Sequence, residues 1–201
     1  SVDPRASEIA SRALDFEAIS VAEVMVPRNR VVALRRGAPA EEIQRSILEE
    51  GHSRMPVYEG QIDNIVGYVV ACDVADGAAV AGLAAALGDG ALDVVVNNAG
   101  RWSDDGQALG RLDYDELARS FAVNALAPVR VTEALLPHLR RGRGKKVAHI
   151  SSGLGSIADN TSGGWYGYRM AKAALNMAAR TLARDLIADG IASAVIDPGW
   201  V

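Results

Sequence analysis

The chain has 201 residues, a length that suits one domain or two small ones. It is 49% apolar and 23% charged, which excludes a disordered chain, and its formal net charge of −4 argues against a nucleic-acid partner, since such binders present a basic surface. A single cysteine, Cys72, and three scattered histidines exclude a disulfide framework and leave no set of metal ligands. No apolar run approaches the ~18 residues that span a bilayer. The first five residues have no hydrophobic stretch behind them, so neither a secretory signal nor a membrane partner is expected and the reading is a cytoplasmic protein.

Composition changes near residue 70. Residues 1–70 hold eight Arg, no Lys and eleven acidic residues; residues 71–201 hold thirteen basic and fourteen acidic residues and are richer in Ala and Gly. The expected division is therefore 1–71 and 72–201, although the boundary falls inside a strand-like run. In the first part, residues 8–16 have helical spacing and 31–34 form a short apolar strand. Pro39 and Ala40 open a helix through Glu50 that Gly51 ends. Strands follow over 55–59 and 65–71, separated by a turn at 60–64.

The second part alternates helix and strand. A helix is expected over 79–87, then a strand over 92–96, apolar throughout as when both faces are covered. Asp113 caps a long helical stretch toward Leu139, with an irregularity at Pro128. A strand over 147–150, a helix over 165–188 closed by Gly190, and a strand over 191–196 complete the chain. Strands alternating with helices of ten or more residues predict an α/β fold with a parallel sheet flanked by helices.

Ligands of parallel sheets bind beyond the carboxyl ends of the strands. Asn97-Asn98-Ala99-Gly100, Ser151-Ser152 and Pro198-Gly199 each follow a strand directly and should converge on that edge. Tyr168 and Lys172 are four apart on one helix and are neighbours there. A cation beside a phenol favours the phenolate and lowers the tyrosine pKa from ~10 toward neutrality. Such a tyrosine exchanges a proton with a substrate oxygen near pH 7, and Ser152 can hydrogen-bond the same oxygen. Each residue also has an ordinary reading. Ser151-Ser152 is a helix cap or turn in most proteins, Asn97 to Gly100 a strand-ending turn, and Asn124 a satisfied polar group inside a helix. Their order and their places at element boundaries make the set far more specific than its members.

With those residues in place, 72–201 resembles the central and later part of a short-chain dehydrogenase/reductase of the Rossmann-like type, and the stretch 156–174 is similar to the C-factor and carbonyl-reductase branch. The resemblance implies Tyr168 as general acid/base, Lys172 as the group that lowers its pKa and holds the nicotinamide ribose, Ser152 as the residue orienting the carbonyl, and Asn124 in a proton relay. It implies contact with NAD or NADP through Asp73-Val74 at adenine, Asn97, Ala99 and Gly100 beneath the cofactor, and Pro198-Gly199 beside the nicotinamide. The partners it implies are a small carbonyl or alcohol substrate and a second copy in a homodimer or higher homo-oligomer. The glycine-rich turn that opens the family, where a helix N-terminus carries the pyrophosphate, has no counterpart: Gly153-Leu154-Gly155 follows the wrong strand and lacks the third glycine. The chain also stops at Val201, before the loop that covers substrate in that family.

Residues 7–73 resemble a different family, the cystathionine-β-synthase (CBS) type regulatory domains of haemolysin-like and magnesium/cobalt-efflux proteins. The match runs through Val24-Met25-Val26-Pro27-Arg28, Val31-Val32-Ala33-Leu34, the run 50–59 and the run 63–69. It implies a β-α-β-β unit that binds AMP or ATP when paired. Two strand-to-helix connections coincide at Asp73, so the strands 31–34, 56–59 and 65–71 are expected to complete the dehydrogenase sheet and cover the edge of the 92–96 strand. Three readings stand: a hydride-transferring oxidoreductase, an adenine-nucleotide-binding module, and a catalytically inactive chimera or designed fusion. A serine hydrolase is excluded because Ser151-Ser152-Gly153 lacks the Gly-x-Ser-x-Gly elbow. The basic run 140–146 reads as a solvated connection.

Overall fold

The computed structural model describes residues 30–52, 54–103 and 107–199, and the chain divides into two compact units, Ser1–Ala71 and Cys72–Val201. In the first unit, strand β1 (Leu34–Arg35) precedes helix α1 (Ala40–Glu50), β2 (Arg54–Tyr58) and β3 (Ile65–Val70). Helix α1 follows Pro39 and ends at Gly51, whose φ of 63° is open to glycine and lets its N–H reach the Ile47 carbonyl. The expected strand over 31–34 is shorter and later than its apolar run. The helix of 8–16 and the run 24–28 lie outside the described residues.

β2 and β3 pair antiparallel and β1 pairs parallel with β2, in the order β1-β2-β3. The expectation that these strands complete the second sheet is not met. They satisfy one another, because a hairpin closed by a short turn costs less chain entropy than a distant pairing.

The second unit holds α2 (Gly77–Ala86), β4 (Val94–Asn97), α3 (Tyr114–Phe121), a π-helical turn (Ala122–Leu126), α4 (Ala127–Arg141), β5 (Lys146–Ile150), α5 (Tyr166–Asp185) and β6 (Ala192–Ile196). Its three strands run parallel in the order β4-β5-β6, so the fold is a Rossmann-like parallel sheet flanked by helices. Asp113 caps α3, its carboxylate accepting the N–H groups of Asp115 and Glu116. The irregularity expected at Pro128 lies just before it. Proline has no N–H for the Asn124 carbonyl, and the N–H of Ala127 reaches back to Ala122 in a wider turn.

Val80 of α2, Val95, Val147, and Val131, Leu135 and Leu139 of α4 form one buried cluster with Leu186 and Ile191. Burial of each such side chain stabilises the fold by ~1.5–3 kcal/mol. Strand β4 is covered on one face only, in contrast to the expectation from its apolar run. Val95 and Asn97 are buried while Val94 and Val96 are about half exposed, and β4 pairs with β5 alone among the described residues.

A polar chain crosses the covered face. Asn97 donates to Thr132 Oγ1 (3.2 Å) and to His149 Nδ1 (3.2 Å), His149 Nε2 meets Ser193 Oγ (3.2 Å), and Ser193 donates to the Ala179 carbonyl (3.1 Å). This network assigns the neutral tautomer with its proton on Nε2. Burial holds the His149 pKa below its ordinary value. The folded protein therefore binds its proton less readily than the unfolded chain, and stability present above pH ~6.5 is lost as pH falls toward the depressed pKa. Urea unfolding at pH 7.5 and 5.5 should show a lower midpoint at the acid pH, and His149→Gln should shrink that difference.

Candidate active site

The carboxyl ends of β4, β5 and β6 lead into the segments that carry the singled-out residues. Ser152 lies two residues beyond β5 and caps the 3-10 turn Gly153–Gly155, its Oγ accepting the Leu154 N–H at 3.2 Å. That leaves its hydroxyl proton free to be directed at the Tyr168 phenol, whose pKa Ser152 acts to lower. The cap reading and the catalytic reading of this serine are thus compatible.

Lys172, one turn along α5 from Tyr168, is 4% exposed. Its ammonium donates to the Ile150 carbonyl at 2.7 Å and lies 5.5 Å from the centroid of the Tyr168 ring. Gly155 permits this seating. A Cβ there would stand 2.9 Å from the backbone carbon and the Cβ of Lys172.

The electrostatics differ from the expectation. The Tyr168 pKa is raised, not lowered. Burial of the ring is the largest cause; the Ser152 hydrogen bond opposes it, and the Asp197 carboxylate adds to it. Lys172 is itself held below its ordinary pKa by burial, and its charge is directed at a backbone carbonyl.

Asn124 is fully buried in the π-helical turn. Its side chain accepts the Arg101 N–H (2.9 Å) and donates to the Arg101 carbonyl (2.7 Å) and to Ser120 Oγ (3.1 Å). The Arg101 guanidinium grips Glu116 with two bonds of 2.7 Å. The Arg101 guanidinium beside it, more than Arg119, holds the Glu116 carboxyl at a pKa of about 2 despite opposing desolvation. This clamp fixes the segment after β4, and with it Trp102, whose ring meets Tyr168 edge-on at 4.8 Å and Trp165 at 5.9 Å.

Tyr168, Ser152, Gly153, Trp102, Asp197 and Gly199 share the wall of one cavity of about 660 Å³, together with Leu154, Asp159, Ser162 and Arg169. The other cofactor candidates sit elsewhere. Val74, Asn97 and Ala99 line a separate crevice of about 10 Å³, too narrow for an aromatic ring. Asp73 spends its carboxylate on the Ala75 N–H at 2.9 Å. Gly100 packs with its Cβ position 3.4 Å from Asn124 Oδ1. Pro198 leads into Gly199, whose φ is 75°, and the Gly199 N–H is received by Asp197 at 3.1 Å.

Trp102, Asp197 and Arg169 were not signalled by the sequence motifs. The adjacency of Arg169 to Tyr168 and of Asp197 to Pro198-Gly199 was the available cue. Trp165, in the left-handed region at φ 46°, directly precedes α5. For a bulky residue that conformation is strained, and such strain gathers at functional sites.

A Rossmann-like parallel sheet thus carries a tyrosine, a serine and a buried lysine beyond its carboxyl edge, the arrangement that the resemblance to the dehydrogenase/reductase family implies. The family model described as enoyl-(acyl carrier protein) reductase matches residues 49–201, and the chain belongs to the short-chain dehydrogenase/reductase family. It is 51% identical over 115 residues to the C-signal protein of Myxococcus xanthus, covering 56% of this chain and 67% of that one. It is 42% identical over 132 residues to 1-hydroxy-2-glutathionyl-2-methyl-3-butene dehydrogenase of Rhodococcus sp. (strain AD45), covering 64% of this chain and 56% of that one. Among solved structures, NADPH-bound carbonyl reductase from chicken fatty liver superposes with a TM-score of 0.63 at 25% identity, over 82% of this chain and 65% of that one. The chain thus spans between about half and two thirds of the length of these relatives. A 62-residue stretch, 30% of the chain, is 37% identical to "Possible hemolysin C" of Rickettsia akari, over 21% of that protein. In the first unit a hollow of about 330 Å³ is lined by α1 alone, at Glu41, Gln44, Arg45, Leu48 and Glu49, which lends no support to an AMP or ATP cleft. No helix among the described residues is long and apolar enough to cross a membrane.

The close approach at Gly155 sets the position of Lys172. Gly155→Ala should force the turn and α5 apart and lower stability by ~1–3 kcal/mol, read by denaturant unfolding.

Proposed function

We propose that the second unit reduces a small carbonyl compound with a nicotinamide dinucleotide, Tyr168 donating the proton. The observation that carries this reading is the placement of Ser152 and the Tyr168 phenol together in the wall of one cavity of about 660 Å³. A pocket of that size takes a small organic molecule.

The residues at this end suit the nicotinamide half of such a cofactor. An ammonium has three donors, and Lys172 directs one to Ile150 O. Gly199, without a side chain, stands at the cavity wall. Lys172, Tyr168 and Gly199 would hold the nicotinamide ribose, with Pro198 beside them. Asp73, Val74, Asn97, Ala99 and Gly100 are the candidates for the remainder, and the narrow crevice there would have to widen. When bound, the dinucleotide supplies a hydride to the carbonyl carbon. The chain's own part is to hold and protonate the oxygen. Ser152 fixes it by a hydrogen bond, Tyr168 gives up its O–H proton as negative charge develops there, and Lys172 stabilises the phenolate left behind. Asn124 acts at one remove, by holding the Arg101–Trp102 segment against the tyrosine.

The direction of the Tyr168 shift favours reduction. A phenol with its pKa above the ordinary ~10 stays protonated through the neutral range and is ready to act as an acid. Carbonyl reduction should therefore hold steady across neutral pH and fall only in the strongly alkaline range, whereas alcohol oxidation, which needs the phenolate, should rise with pH. Initial rates in both directions from pH 6 to 10 check this. Tyr168→Phe should lower kcat for NADPH-dependent carbonyl reduction by about 10²–10⁴-fold, the usual contribution of a general acid. Retention of activity within a few-fold in that variant would overturn the assignment.

A further inference from the structure

We propose that Arg169 is the anion-binding end of the cavity, and that the substrates are carbonyl compounds carrying a carboxylate at a distance from the reacting carbonyl. The proposal rests on the reductase reading for the identity of the reaction, but the anion site itself follows from the geometry of the guanidinium.

An arginine binds a carboxylate best through the edge formed by Nε and one terminal nitrogen, as two parallel hydrogen bonds. Among the described residues the chain uses this edge twice. Arg101 offers Nε and Nη2 to the two oxygens of Glu116, both at 2.7 Å. Arg140 offers the same pair to Asp189, both at 2.9 Å. Arg169 presents the same edge half filled. Its Nη2 donates to the hydroxyl of Ser162 at 2.9 Å, while its Nε is buried with no partner among the described residues. An orphaned donor of this kind is costly and calls for an explanation. A carboxylate that displaces the Ser162 hydroxyl and takes both N–H groups supplies one.

The surroundings favour that exchange. The guanidinium is held 5.8 Å from the Trp165 ring centroid, so its plane is set by packing. Ser162 belongs to a segment in which Gly163, Gly164 and Trp165 all have positive φ, and its hydroxyl is a neutral acceptor where the edge is built for an anion.

Charge then orients the ligand. Among the described residues Arg169 is the cation in the cavity wall. Two carboxylates of the described residues share that wall, and neither forms an ion pair with it. Asp159 receives the Ser156 hydroxyl at 2.7 Å. Asp197 receives the Gly199 N–H at 3.1 Å and acts electrostatically on Tyr168. Asp197 repels an anion from the phenol, while Arg169 attracts it, so a bifunctional substrate settles with its neutral carbonyl at Tyr168 and its carboxylate at Arg169.

The test compares acetophenone with 4-acetylbenzoate, which differ by one carboxylate. The wild-type protein with NADPH should prefer the acid by about tenfold or more in kcat/KM, through KM, and the preference should weaken as salt is raised. In Arg169→Gln the ratio should fall toward one. Arg169→Lys keeps the charge and loses the two-pronged edge, so it should give an intermediate ratio, and it decides the question if the glutamine variant does not fold. Reduction of acetophenone without preference for the acid, or with a preference that Arg169→Gln leaves intact, overturns the anion site while the reductase reading stands. Calorimetric titration of 4-acetylbenzoate into Tyr168→Phe gives a readout independent of turnover. Binding that Arg169→Gln abolishes sustains the anion site even if neither ketone is reduced by the wild type, which would sink the reductase reading instead. No binding and no preference would dispose of the anion site.

Discussion

The site depends on one hydrogen bond, from the buried ammonium of Lys172 to the Ile150 carbonyl at 2.7 Å. Ile150 is the last residue of β5, and Ser152 follows two residues later. Lys172 lies on α5 one turn from Tyr168. The bond therefore ties the helix that carries the phenol to the strand end that carries the serine, and Gly155 lets the two backbones come close enough for it to form. An ammonium taken out of water must be compensated by such a partner, and its depressed pKa records the part of the cost that remains. The same burial that seats Lys172 also dries the Tyr168 ring, and that drying outweighs the serine hydrogen bond to give a phenol that holds its proton.

A second tie determines what faces the phenol. Pro128 removes one helical donor, the helix widens into a π-helical turn, and Asn124 is buried there with its amide aimed at the Arg101 backbone. Glu116 holds the Arg101 side chain. Together they pin Trp102 edge-on to Tyr168. A helix irregularity, a cap at Asp113 and an ion pair with one buried partner, Glu116, thus act on one tryptophan, and through it on the shape of the cavity.

The elements of the second unit were legible because their signals are local. The Asp113 cap, the Gly190 stop and the apolar runs of β4 and β5 each reflect what neighbouring residues do to the backbone. The family was legible because Asn97 to Gly100, Ser152, Tyr168 and Lys172 stand at fixed places relative to those elements. The first unit was less so. Its strands were found nearly in place, but the partner of each strand depends on which pairing closes the shorter loop, and β2 and β3 choose one another. The apolar run of β4 looked like a strand covered twice, yet Val94 and Val96 remain about half exposed, because covering a face requires a neighbour and residue pattern alone does not supply one.

The sequence by itself determined the order of the elements, the parallel sheet of the second unit and the residues that gather at its carboxyl edge, since helix caps, turns and hydrophobic period act over a few residues. Only the tertiary structure decided the sign of the tyrosine's pKa shift, the separation of the Val74–Asn97–Ala99 crevice from the main cavity, and the half-filled edge of Arg169. Each of these is set by groups distant in the chain, by the depth of burial, an opposing carboxylate or a missing acceptor. Desolvation and Coulomb energies depend on where such groups lie in space.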